Sequence, residues 1–384
     1  MGATFKHYDL ELLNPDFGSE LTDLIIDLDY LRKKTLGGTT KPKIFFQLKS
    51  IFHILESIGS ARLEGNRTTV AEYIEKKIER AQRIDEKDIE ISNIEKAMGF
   101  IDKQIKTTPI NRAFIADLHK QIVINLTPPP KGEGSRYPGE YRKVNLEITA
   151  SQHLPPDFTQ VNDYMDDLMK FINNGDSSKY DLLKTAIAHH RFSWIHPFDN
   201  GNGRTVRLLT YSMLVKQGFN VDVGRILNPT AIFCIDRDKY TEALALADTG
   251  TREGVLKWCK YVLSGLKHEI EKIDKLLDYN FLKSQILLPS ISFALERKVI
   301  TELESKILEV AIDKQTFRSS DIAQFMPGKV YTQRSRVLRE LKNKKMISPI
   351  RDNSKQYTLR FDNNYLLRGI IKMLEKEGFI VIKD

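Results

Sequence analysis

The chain has 384 residues, a hydrophobic fraction of 41% and a charged fraction of 29%. That is enough apolar material for two or three domains of ordinary size with a well-solvated surface. No run of about 18 apolar residues is present, which argues against a membrane span. The N-terminus, MGATFKHYDLELL, lacks the basic-then-apolar order of a secretory signal, and its Met-Gly start is too weak a pattern to imply acylation. Two cysteines in apolar contexts, Cys234 and Cys259, read as buried thiols of a reducing, cytoplasmic compartment. The net charge is +8, and residues 301–384 hold 17 Lys/Arg against 11 Asp/Glu, so a net +6 lies there. That segment is the one to test for nucleic acid.

In chain order, leucine and isoleucine recur at helical spacing from Glu20 to Arg32, and 37–42 reads as a loop. Ile51, Ile54, Leu55 and Ile58 form an i, i+3, i+4, i+7 stripe on a helix that runs towards Glu64, where Gly65-Asn66 stops it. Residues 69–106 read as further helix broken near Asp85. A helix from Arg112 to Ile124 is followed by a Pro/Gly loop, Leu126–Gly139. The alternating Val/Ile/Thr run from Tyr141 to Ala150 predicts a short hairpin. Helices are expected at Phe158–Asn173, over 180–196 and at Arg204–Gln217, with two or three more to about Phe281. No internal repeat is found. Beyond residue 300 the texture changes. A helix at Leu303–Ile312, a short one at Ser320–Met326, a turn at Pro327-Gly328 and a basic helix at Thr332–Lys345 precede two strands, Met346–Ile350 and Gln356–Phe361. This is the order of a winged helix-turn-helix. The expected architecture is mainly α, in three parts: 1–105, 106–285 and 300–384.

The segment with chemical content is His196-Pro-Phe-Asp-Asn-Gly-Asn-Gly-Arg-Thr-Val-Arg207. A helix ends, a polar turn follows, and Gly-Asn-Gly opens the next helix. Backbone amides converging at a helix N-terminus make an anion nest. Arg204 and Arg207, three apart, share a helix face and suit a polyphosphate, which guanidinium binds bidentately. His196 at the mouth of the loop is a natural base for a hydroxyl that attacks phosphorus.

These twelve residues resemble the Fic motif, H-x-F-x-(D/E)-G-N-G-R-x-x-R, matching at His196, Phe198, Gly201, Asn202, Gly203, Arg204 and Arg207. The likeness extends from about residue 40 to about residue 270. It implies a helical core with a small hairpin flap, and a protein adenylyltransferase: AMP passes from ATP to a Tyr, Thr or Ser hydroxyl of a protein and pyrophosphate leaves. In that reading His196 deprotonates the hydroxyl, Phe198 anchors the loop, Asn200, Gly201, Asn202 and Gly203 line the phosphates, and Arg204 and Arg207 grip their β and γ groups. One position departs. The family's acid, which ligates Mg²⁺ or Mn²⁺, is Asn200 here, a weaker ligand for a hard cation than a carboxylate. The run Tyr141–Ser151 resembles the flap that adds a target strand, with Leu146, Glu147, Ile148, Thr149 and Ala150 as positioning residues. Ser60-Ala-Arg-Leu-Glu64-Gly65 resembles the inhibitory motif (S/T)-x-x-x-E-(G/N), which implies that Glu64 pairs with Arg207 and blocks productive ATP. The same glutamate supports AMP removal in some relatives. The other partners expected are the chain itself as substrate, DNA at the basic C-terminal helix, and a second copy of the chain. Two alternatives stand beside transfer: a nucleotide-binding transcriptional regulator, and a variant that transfers another phosphate-containing group.

Overall fold

The computed structural model describes residues 3–33, 38–79, 85–148, 151–219, 229–234, 236–328 and 330–380. Helices dominate them: α1 (Glu20–Lys33), α2 (Pro42–Leu63), α3 (Val70–Glu79), α4 (Glu86–Gln104), α5 (Arg112–Val123), α6 (Val161–Asn173), α7 (Asp181–Ile195), α8 (Asn202–Lys216), α9 (Pro229–Cys234), α10 (Arg237–Asp248) and α11 (Arg252–Asp274). α12 (Tyr279–Phe281) passes through a π turn, Leu282–Leu287, into α13 (Leu288–Glu296); α14 (Glu302–Lys314), α15 (Tyr331–Asn343) and α16 (Leu366–Lys376) follow. No described helix is long and apolar enough to cross a membrane.

Contacts divide the chain into two compact units. The first is Met1–Thr35, Glu56–Thr68 and Ile84–Glu271; the second is Leu36–Leu55, Thr69–Arg83 and Lys272–Asp384. These boundaries differ from the three consecutive segments expected. The reason is that the chain near residues 40–55 and 70–79 packs with the last hundred residues. Thr40 donates to Leu277 O, Lys43 Nζ to Pro349 O at 3.0 Å, and Gln47 spans Leu359 O at 3.0 Å and Phe361 N at 2.7 Å. Arg368 of α16 pairs with Glu75 of α3.

In the first unit α7 and α8 form the centre. Thirteen of the fifteen residues of α7 are buried, including Trp194 and Phe192. Such all-round burial marks a helix enclosed by others, here α6 and α8, with α4 and α5 also packed on α8. The break read near Asp85 is the start of α4, where Asp85 and Asp88 form a reciprocal capping box. Among the described residues, the hairpin expected at Tyr141–Ser151 forms no ladder. Described residues 141–148 carry no paired strand, and Thr149 and Ala150 lie outside the described residues. Its polar backbone is held otherwise: Arg142 N–H donates to Pro197 O at 2.8 Å, and the Arg142 guanidinium donates to Val144 O at 3.1 Å. Alternation persists in exposure, with Glu147 exposed between half-buried Leu146 and Ile148.

The second unit holds the one sheet among the described residues. β1 (Phe317–Arg318) and β2 (Ile347–Pro349) flank β3 (Gln356–Leu359), both antiparallel to it. The register pairs Phe317 with Tyr357 and Ile347 with Leu359. The second short helix expected at Ser320–Met326 is a single 3-10 turn, Ala323–Phe325. α16, unforeseen, buries Leu367, Ile370 and Leu374.

Because Ile44, Phe45, Leu48 and Phe52 are all buried in this second unit, a chain ending at residue 300 uncovers apolar surface. It should bind more of the dye anilinonaphthalene sulfonate and melt earlier than the full chain. An unchanged melting midpoint would contradict this packing.

Candidate active site

α7 ends at His196, whose backbone is left-handed (φ +51°, ψ 60°) and precedes a proline. That conformation costs a non-glycine residue roughly 1–2 kcal/mol, and the structure opposes it with several bonds. His196 N–H donates to Phe192 O at 3.0 Å; Arg142 Nε donates to His196 O at 3.0 Å; and Arg142 N–H holds Pro197 O. Arg142 is itself buried and reaches Pro156 O at 2.5 Å. The imidazole is half-buried. Burial brings it down to about 4, aided by the Arg142 charge and opposed by a hydrogen bond to the Ser193 backbone and by Glu64. At neutral pH it is therefore uncharged and able to accept a proton.

The turn after His196 is clamped from inside. Asn202, the first residue of α8, accepts from Phe198 N–H at 2.9 Å and donates to Phe198 O at 2.8 Å. Phe198 is fully buried and stacks on His119 with centroids 3.8 Å apart and planes 2° apart. His119 Nδ1 accepts from Gly139 N–H at 2.8 Å, so Nε2 carries the hydrogen and donates to Asn200 O at 3.0 Å. Burial lowers His119 to about 4. Gly201 caps α8 with φ +75°. Asp199 is a loop staple: Ser135 Oγ donates to it at 2.5 Å and Arg136 N–H at 2.9 Å.

Arg207 lies on the buried face of α8, and three of its hydrogen bonds go to the end of α2. Nε donates to Ser60 Oγ at 2.8 Å, Nη2 to Ser60 O at 2.9 Å, and Nη2 to Glu64 Oε1 at 2.7 Å. Burial pushes the Glu64 carboxyl up, but the charges of Arg207 and Arg204 and the Arg207 hydrogen bond outweigh it and hold it below the usual carboxylate range. The carboxylate rests against Gly203, where an added Cβ would stand 2.3 Å from Glu64 Oε1. Gly65 (φ +104°) ends α2, and Asn66 N–H returns to Ala61 O at 3.1 Å.

Arg204 is fully buried. Its Nη1 lies 3.0 Å from Glu90 Oε1, and its Nη2 donates to Glu133 O at 2.7 Å. Glu90 also accepts from Asn66 Nδ2 at 2.9 Å, tying the segment after α2 to the same arginine. Asn200 faces the 126–139 loop, its amide donating to Gly134 O at 3.0 Å. The described residues contain no cluster of three or more His, Cys, Asp or Glu able to hold a metal alone. The oxygen donors here suit a hard cation only as partners of phosphate oxygens.

The structure thus gathers His196, Asn200, Gly201, Asn202, Gly203, Arg204, Arg207, Ser60, Glu64 and Gly65 in one region of the first unit. Leu146, Glu147 and Ile148 follow the Arg142 brace on the same unit. Sequence reasoning missed His119, Arg142, Glu90 and Glu133. Only His119 left a trace, a polar residue inside the apolar stripe Ile115, Leu118, Ile122 of α5.

His119 and His196 are held neutral, so their contribution to stability is complete above the ordinary histidine value of 6.5 and is lost as pH falls through about 4. The melting midpoint should drop across that window. His119→Gln, which keeps one donor and one acceptor, should flatten the drop; an unaltered pH slope in this variant would contradict the buried neutral imidazole.

Residues 109–214 match the model of the Fic/DOC family. The chain is 30% identical over 216 residues to protein adenylyltransferase Fic of Drosophila virilis, covering 55% of this chain and 39% of that protein. The Aedes aegypti protein of the same name is 28% identical over 207 residues, covering 52% and 37%. The aligned region spans about two fifths of the length of these curated relatives. Among solved structures, a Fic family protein from Desulfovibrio desulfuricans superposes with a TM-score of 0.57 at 17% identity, covering 92% of this chain and 98% of that one. A Fic domain-containing signaling protein from Bacteroides thetaiotaomicron gives 0.52 at 20% identity, covering 67% and 97%. These likenesses establish a shared fold. The match to the family's model takes in the helices that carry His196 to Arg207.

Proposed function

We propose that the protein transfers AMP from ATP to a hydroxyl side chain of a protein, and that Glu64 restrains the reaction. The observation that carries the reading is the geometry around Arg207: a carboxylate and a hydroxyl from one turn of α2 hold the guanidinium that the family motif assigns to the γ-phosphate. Support for a nucleoside triphosphate comes from both arginines standing beside the amides that open α8, where a helix N-terminus favours anions. Arg204 Nε is a buried donor with no hydrogen-bond partner among the described residues, a donor a phosphate oxygen could satisfy if the nucleotide opens this pocket.

In this mechanism neutral His196 takes the proton of the target hydroxyl as its oxygen bonds to the α-phosphorus. The bond from that phosphorus to the bridging oxygen breaks, and pyrophosphate departs. A divalent cation on the phosphates would offset their charge. The target strand would lie along 146–148, where the described backbone at Leu146 and Glu147 shows no hydrogen bond and strand addition is open to it. With Glu64 in place, the γ-phosphate must displace a charged hydrogen bond, the kind that contributes about 1.5–3 kcal/mol.

A second reading concerns the last part of the chain. The order α14, β1, 3-10 turn, α15, β2, β3 supports a winged helix-turn-helix, and α15 exposes Arg336, Arg339 and Lys342 to solvent. We read this face as one that meets duplex DNA through phosphate contacts. Binding should weaken steeply with salt, and Arg339→Glu with Lys342→Glu should lower it at every sequence. Salt-independent binding, or no binding to duplex at low ionic strength, would remove the DNA reading and leave a protein-contact module.

For the catalytic reading, Glu64→Gly should raise AMP incorporation roughly ten- to a hundredfold, since about 1.4 kcal/mol is a factor of ten. Adding His196→Ala to that variant should abolish incorporation, by a factor on the order of 10²–10⁴ for loss of a general base, with ATP still bound. Incorporation by folded Glu64→Gly no faster than by the wild type would refute the restraint. Undiminished transfer without His196 would refute its role as base.

A further inference from the structure

We propose that Glu133 supplies the carboxylate for the nucleotide's divalent cation, in place of residue 200. This rests on the transfer reading above. Position 200 carries a neutral amide whose nitrogen donates to Gly134 O at 3.0 Å and stands 3.4 Å from Glu133 Oε2. An acid at 200 would face a carbonyl and a second carboxylate at these distances and be repelled by both. The two positions therefore read as an exchange: the charge has moved from the motif to the loop beside it, and the motif has kept an amide that can donate to the loop.

Glu133 is placed with little freedom. Gly134 N–H donates to Thr127 O at 2.8 Å, and an added Cβ at Gly134 would stand 2.2 Å from Leu126 O. The Glu133 carbonyl accepts from Arg204 Nη2 at 2.7 Å, so its backbone is tied to the arginine assigned to the phosphates. Its side chain remains 42% exposed, within reach of a hydrated cation.

The other acids nearby are committed. Glu64 is bonded to Arg207, and Asp199 to Ser135 and the Arg136 amide; Glu90 is buried between Asn66 and Arg204. The Glu133 carboxylate has only two contacts among the described residues, both at 3.4 Å, one to Asn200 and one to Arg204. It is the acid left for a hard cation, which prefers carboxylate and phosphate oxygens together.

The test uses the full chain with Glu64→Gly, so that nucleotide can bind, and the non-transferable analogue α,β-methylene-ATP. Mn²⁺ affinity at saturating analogue is read from the electron paramagnetic resonance of free Mn²⁺. Analogue affinity is read separately in the presence of chelator. Glu133→Gln should weaken Mn²⁺ binding roughly tenfold or more, the scale for losing a metal-site partner. Metal-free analogue should bind as well or better, because one negative charge has gone. Adding Asn200→Asp to Glu133→Gln should restore Mn²⁺ affinity. Unchanged Mn²⁺ affinity in Glu133→Gln with analogue bound would overturn this proposal and leave the transfer reading standing. A matching loss of metal-free analogue binding would make Glu133 a brace of the loop and overturn it equally. Failure of the Glu64→Gly parent to bind analogue at all would overturn both.

Discussion

The pairing of Arg207 with the end of α2 is the constraint on which the rest of the site depends. A guanidinium offers a fixed fork of donors, and here three hydrogen bonds from Nε and Nη2 go to Ser60 and Glu64. For both partners to reach one arginine they must share a helix face, which the i, i+4 spacing provides. The helix must then end at once, and Gly65 ends it. The carboxylate rests against the opening turn of α8, where a Cβ at position 203 would push Glu64 Oε1 out of this position. Asn66 and Glu90 carry the same constraint to Arg204. The two arginines of the motif are thus held by carboxylates from two places, Glu64 just after α2 and Glu90 on α4.

A second theme is order imposed on a strained loop. His196 sits in a left-handed conformation before a proline, which a free chain would avoid. It persists because Arg142 binds the carbonyls on both sides of the peptide bond, one through its side chain and one through its own amide. The same arginine fixes the start of the segment proposed to receive a target. The proposed base and the proposed target edge are therefore both tied to one buried side chain. Two neutral imidazoles, His196 and the His119 stacked under Phe198, keep the loop free of extra positive charge at neutral pH.

Much of this was legible in the sequence where information is local. His196 to Arg207 spans one turn and the start of one helix, so its chemistry is readable from residue types in order. Ser60 and Glu64 are readable for the same reason. The partners that orient these residues come from 54 to 114 positions away in the chain: Arg142 to His196, His119 to Asn200, Glu133 to Arg204, Glu90 to Arg204. Single charged residues at such separations leave no periodic signal. The run at 141–148 misled because alternation reports a segment with one sheltered and one open side, whether or not a second strand lies beside it. The two compact units were invisible for a related reason. The stripe in α2 marks a buried face and says nothing of which later helices bury it.

The central claim is that the site moves the α-phosphoryl end of ATP, with its nucleoside, onto protein. The most direct measurement incubates the Glu64→Gly full chain with ATP labelled either at the α- or at the γ-phosphate and follows label into protein. The account predicts incorporation of α label with release of γ label as pyrophosphate. Entry of the γ label with the α label left in solution would contradict it and make the reaction a phosphoryl transfer.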